Sequence, residues 1–197
     1  MRRAITLGIA AATLAAAGCS EARSENAGPV VERNYEVGEF NRIELGGAYD
    51  VTVRTGAAPS VHARGGENVL DRLEVEVKEG VLSIRPEKRS GWFNRSSNGK
   101  VAVTVTVPTL RGASLAGAGD IGIDRIAGDS FEGSIAGAGD LRIENIEVST
   151  AKFDIAGAGN VHIANGRARN AEYGVTGAGD IHAQGVTAQA PAVSCEG

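Results

Sequence analysis

Apolar and polar residues alternate with a period of two over most of this chain, and from Ser114 onward the alternation itself recurs every twenty residues. Ser-Leu-Ala-Gly-Ala-Gly-Asp begins at Ser114, Ser-Ile-Ala-Gly-Ala-Gly-Asp at Ser134, Asp-Ile-Ala-Gly-Ala-Gly-Asn at Asp154 and Gly-Val-Thr-Gly-Ala-Gly-Asp at Gly174. Ser194-Cys195-Glu196-Gly197 opens a fifth copy. Spacing without drift means one supersecondary unit set repeatedly against itself, because an insertion would displace every later copy. On the N-terminal side of the corner position, the later copies carry apolar pairs two residues apart: Phe153 and Ile155, Tyr173 and Val175, Val193 and Cys195. After it come Ile121 and Ile123, Leu141 and Ile143, Val161 and Ile163, Ile181 and Ala183. These side chains share one face, and Gly122, Arg142, His162 and His182 point from the other. A further apolar site recurs at Ile126, Ile146 and Val186, broken by Gly166.

Two or three short strands per twenty residues, separated by Gly-rich corners, predict an all-β fold: a parallel β-helix, or solenoid, with twenty-residue coils. Equivalent residues of successive coils would stack about 4.8 Å apart, and right-handed coiling follows from the general handedness of parallel crossovers. The Gly-Ala-Gly corner allows positive φ and leaves the neighbouring coil unobstructed. Asp120, Asp140, Asn160 and Asp180 follow it, where a short polar side chain can bond the turn's own backbone.

The N-terminal half differs. Glu44 to Val53 matches the later motif position for position, with Tyr49 in place of a glycine, but out of phase because of an insertion. Leu73–Val77 and Val81–Ile84, joined by Lys78-Glu79-Gly80, read as an antiparallel β-hairpin insertion. Val101, Val103, Val105 and Val107 give another alternating strand, ended by Pro108. Glu87 to Gly99 is a polar loop holding Trp92 and Phe93.

Residues 1–18 read as a signal peptide: Arg2 and Arg3, an Ala/Leu/Ile stretch too short to span, then small residues. Ala16-Ala17-Gly18-Cys19 has the form of a bacterial lipobox, which makes Cys19 the lipidation site. Ala16 stands where leucine is preferred, so ordinary signal peptidase is the alternative. Residues 19–35 are polar and contain Pro and Gly, a tether before a domain at 36–197. Ser20 lacks the aspartate that favours inner-membrane retention. The expected location is therefore the cell envelope, lipid-anchored at the outer membrane, with a soluble periplasmic or secreted form as the alternative. Losing residues 1–18 changes the formal charge from −4 to −6, which argues against nucleic acid as partner.

These features together resemble the bacterial head GIN domain family of auto-transporter adhesins. Phe40 to Val53, Glu67 to Asp71, Gly80 to Ile84, Val103 to Leu110 and the four Gly-Ala-Gly-Asp/Asn motifs carry the likeness. It covers roughly residues 36–197. The resemblance implies a secreted or surface β-helical domain, often on lipoproteins, with no established enzymatic activity.

Candidate sites are few. Gly117-Ala118-Gly119-Asp120-Ile121-Gly122 fits G-x-G-x-x-G, but strand alternation follows it instead of the helix a dinucleotide needs. Asp120, Asp140 and Asp180 line up as in calcium-binding rolls, yet one carboxylate per coil supplies too few oxygens. His162 and His182 fall one coil apart near Arg142, where two imidazoles could share a metal; short of the three or four ligands of a zinc site, they read first as a solvated pair. No metal or cofactor is expected. Trp92 and Phe93, with Lys88, Arg89, Arg95 and Lys100, form either a contact loop for lipid, glycan or protein, or a cover over the open end of the coils. Cys195 aligns with Leu115, Ile135, Ile155 and Val175 as a small apolar core residue. The strand at Ile181–Ala183 would leave a sheet edge, to be covered by self-association, by the hairpin or by further chain.

Two functions follow from these residues. The first is a non-enzymatic, lipid-anchored envelope protein with an adhesin-like binding or structural surface for a glycan or envelope protein. The second is a carbohydrate-active β-helix enzyme using paired surface carboxylates on envelope or extracellular polysaccharide. Turnover of such a substrate discriminates between them.

Overall fold

The computed structural model describes residues 27–87 and 99–196. In chain order the strands are β1 (Val30–Tyr35), β2 (Arg42–Gly47), β3 (Asp50–Thr55), β4 (Ser60–Gly66), β5 (Leu73–Lys78), β6 (Val81–Pro86) and β7 (Ala102–Val107). They continue as β8 (Gly112–Gly117), β9 (Asp120–Ile135), β10 (Asp140–Gly157), β11 (Asn160–Gly177), β12 (Ile181–His182) and β13 (Val186–Glu196). One short helix, α1 (Glu67–Leu70), interrupts them. All thirteen strands belong to one sheet, and the fold is all-β.

Where the sequence repeats, strands pair parallel with partners twenty residues apart. Ile121 lies opposite Leu141 and Ile135 opposite Ile155 between β9 and β10. Ile143 lies opposite Ile163 and Ile155 opposite Val175 between β10 and β11. The short strands read from the sequence merge into ladders of sixteen to eighteen residues. Only the Gly-Ala-Gly corner interrupts them; there Ala138 N–H donates to Gly117 O and Ala158 N–H to Gly137 O, both 2.9 Å away. The copies pass so close at this corner that a Cβ on Gly139 would lie 1.8 Å from Gly119 O. Gly117 and Gly157 have φ of 152° and 149°, a region L side chains rarely adopt.

The N-terminal segment keeps the same lateral phase although its sequence offset is not a multiple of twenty. Arg42 pairs with Gly112 and Leu45 with Leu115, and Asp50 pairs with Asp120. The intervening residues build the end of the molecule. Strand β6 lies parallel to β2 and β7 parallel to β3, each on the side away from β8 and β9. Spatial order therefore departs from chain order. The expected hairpin is present as β5–β6, with Glu79 and Gly80 at φ of 52° and 76°, both positive as a type I′ turn requires.

The antiparallel pairs β4–β7 and β1–β4 finish the other flank of this end. Val30–Tyr35, at the end of the stretch read from the sequence as a tether, forms strand β1. Its Val31 and Tyr35 pack against the core, and it covers the outer edge of β4.

Alternation decides what is inside. Ile121, Ile123, Leu141, Ile143, Phe153, Ile155, Val161 and Ile163 are buried as the period-two reading requires, and so are Ile126 and Ile146 of the further recurring site. Among the described residues no polar or charged one is buried. Phe131, Phe153 and Tyr173 form an internal aromatic row, with centroids 5.8 and 6.0 Å apart. Gly133 makes room for it, since a Cβ there would meet the Phe153 ring at 2.6 Å. Burial decreases toward the last copy, where Tyr173, Val175, Ile181, Ala183 and Val186 are only partly covered.

Candidate functional site

Two outward faces carry repeated side chains. On the first, the residues after the corners form a row, but their hydrogen bonds differ from the expectation. Asp140 N–H donates to Asp120 Oδ1 at 3.0 Å, Asn160 N–H to Asp140 Oδ1 at 3.2 Å and Asp180 N–H to Asn160 Oδ1 at 3.2 Å. Each side chain thus bonds the next copy's backbone instead of its own turn. The reason is that the parallel register places the following N–H within reach of the carboxylate. Arg142 lies over the same row, 2.6 Å from Asp140 and 3.7 Å from Asp120, and offsets their like charge. The row stitches copies together.

Two residues further along, one line crosses the face: Asn34, His62, Thr104, Thr52, Gly122, Arg142, His162 and His182 occupy consecutive register positions. The rings of His162 and His182 stack with centroids 4.9 Å apart and planes 21° from parallel. They line an open groove of about 560 Å³ with Arg142, Glu144 and Gln184. At the far end, His62 Nδ1 lies 2.7 Å from Asn34 Oδ1, and Glu32 lies 3.7 Å from both His62 and Arg64. Among the described residues no group of three or more His, Cys, Asp or Glu side chains could hold a metal ion.

The second face presents Glu44, Ser114, Ser134, Asp154, Gly174 and Ser194 in one register line. Ser134 Oγ–H donates to Ser114 Oγ at 3.0 Å. Small side chains leave shallow grooves here, one of about 330 Å³ around Asp154 and Gly174 and one of about 260 Å³ around Ser114. Beside them run Arg42, paired to Glu132 at 3.3 Å, and Lys152, paired to Asp154 at 3.3 Å. Sequence reasoning passed over this line, although it is the first residue of every repeat.

Trp92, Phe93, Arg89, Arg95 and Lys88 lie outside the described residues, as do Cys19 and residues 1–18, which the sequence reads as a signal peptide. Lys100 is described and exposed. The backbone of Cys195 pairs opposite Val175, while its side chain lies outside the described ones. Burial raises the phenol pKa of Tyr173, and of Tyr35 and Tyr49 at the other end, above the ordinary value of 10.0. No helix among the described residues is long and apolar enough to cross a membrane.

Solved structures share this fold. A "putative lipid binding protein" from Parabacteroides distasonis ATCC 8503 superposes with a TM-score of 0.66 at 20% identity, over 85% of this chain and 79% of that one. A "putative adhesin" from Bacteroides fragilis NCTC 9343 gives 0.61 at 20% identity, over 86% and 94%. A second "putative adhesin" from Parabacteroides distasonis ATCC 8503 gives 0.59 at 20% identity, over 86% and 79%. At such identities the likeness concerns the fold alone. No curated protein matches the sequence. The family model described as "Putative auto-transporter adhesin, head GIN domain" matches residues 39–197, which include every repeat, and the chain belongs to that family.

Proposed function

We propose that this protein is a non-enzymatic module of the bacterial envelope, lipid-anchored through Cys19. Its parallel copies would close as a right-handed β-helix whose outer faces bind a glycan, a lipid or an envelope protein. The observation that carries this reading is the pair of outward lines, in which polar side chains recur at the spacing of parallel strands. A periodic polar surface suits a periodic or extended ligand, because successive copies can repeat one contact and add weak affinities along it. The adhesin description of the family and the lipobox at Cys19 agree with a location at the surface. Self-association along the β12 and β13 edge belongs to the same proposal.

A glycan array probed with the purified protein, beside a pull-down from membrane fractions, tests it. Retention of a defined polysaccharide or envelope component, weakened by bulky substitutions at Ser134 and Gly174, is the expected result. Turnover of pectic, alginate-like or peptidoglycan substrates, abolished by changing one surface Asp or Glu, would instead establish a carbohydrate-active enzyme.

A further inference from the structure

We infer that His162 and His182 form an open binding site for one divalent first-row transition-metal ion, of the zinc, nickel or copper type. The two imidazoles sit at paired register positions of adjacent parallel strands, on the solvent side, with ring centroids 4.9 Å apart. Imidazole nitrogen is the donor these borderline ions favour over carboxylate or carbonyl oxygen. Bonds of about 2.0–2.1 Å put two nitrogens on one ion no more than about 4.2 Å apart. The stacked rings aim their in-plane lone pairs side by side, so binding requires these two solvent-facing side chains to turn about χ1 and χ2 until one nitrogen of each faces the same point.

The groove bordered by Arg142, Glu144 and Gln184 leaves room for an ion beyond the ring edges. Arg142, the nearest cation of the line, is turned toward Asp140 and Asp120, which offset its charge. No third His, Cys, Asp or Glu among the described residues joins the pair. Water, or a donor atom from a bound molecule, then completes the coordination. Such an ion would also clamp β12, whose ladder with β11 is two residues long.

Calorimetric titration of the full chain with nickel or zinc chloride tests the site, with thiols alkylated in every sample. One ion per chain is expected. Either His162→Ala or His182→Ala should weaken binding by about tenfold or more, at least as much as losing an outer-shell partner costs, whereas His62→Ala leaves it unchanged. Zinc should also slow amide exchange at Ile181 and His182 in the parent and in neither variant. Both side chains face solvent, so circular dichroism should show the variants folded. Equal affinity in the His162→Ala/His182→Ala double variant would overturn the assignment, and so would the absence of binding at millimolar ion.

Discussion

The side chains that matter most are those whose neighbours repeat on both sides. Ile155 is 2% exposed and lies between Ile135 and Val175, where a cavity has no chain end toward which to relax. Ile155→Ala is expected to cost about 2–5 kcal/mol in urea or guanidinium unfolding; a loss below about 1 kcal/mol would place this face outside the core. The corner row makes a different prediction. The Asp140 carboxylate accepts from the Asn160 backbone and side chain and from Arg142. Asp140→Ala should cost about 1–2 kcal/mol, whereas Asp140→Asn keeps an acceptor and should recover most of it. Unfolding midpoints of the two variants check this, and equal losses would mean that charge matters more than the acceptor. The sequence displayed both sets of residues. It did not display the partner of each aspartate, because that partner lies twenty residues away and the local turn offers an N–H of its own.

Among the elements, legibility followed repetition. Strands β9, β10 and β11 could be read directly, since a period of two inside a period of twenty determines face and register together. The β5–β6 hairpin was equally plain from its glycine turn. By contrast, β1 carries no repeated motif and is only half-buried on its inner side, so its polar residues concealed a strand. The four residues of α1 are too few to show helical periodicity, although Val69 and Leu70 are buried. No sequence pattern announces that β6 and β7 lie beyond β2 and β3, because their offsets of 39 and 52 residues match no period. The element arrangement predicts a gradient of protection. Amides of β2, β3 and β10, paired on both sides, should exchange far more slowly than those of β12 and β13, which among the described residues pair only with β11. Uniform protection would mean that the β12 and β13 side is covered in solution.

Taken whole, the molecule has two unlike ends, one sealed by antiparallel strands and one ending in parallel ladder. If Cys19 carries the anchor, Cys19→Ala should move the protein from membranes to a soluble fraction; a processed variant still sedimenting with membranes would identify some other attachment. Cys19 precedes β1 in the chain, and β1 belongs to the sealed end, so an acyl chain on Cys19 would attach on the side of that end. The interleaving of β6 and β7 outside β2 and β3 also makes length adjustable at one end only. Strands β1 to β8 are mutually entangled in register, and an excision within any of them breaks pairs on several strands at once. Removing residues 140–159, one whole repeat, should instead bring β9 against β11 in the same register and give a shorter folded protein with a cooperative melt. Removing ten residues from the same place should turn core positions out of line and abolish that transition. The ladder of this chain can therefore be shortened or lengthened in steps of twenty residues, with its N-terminal end as the fixed base from which reach is measured.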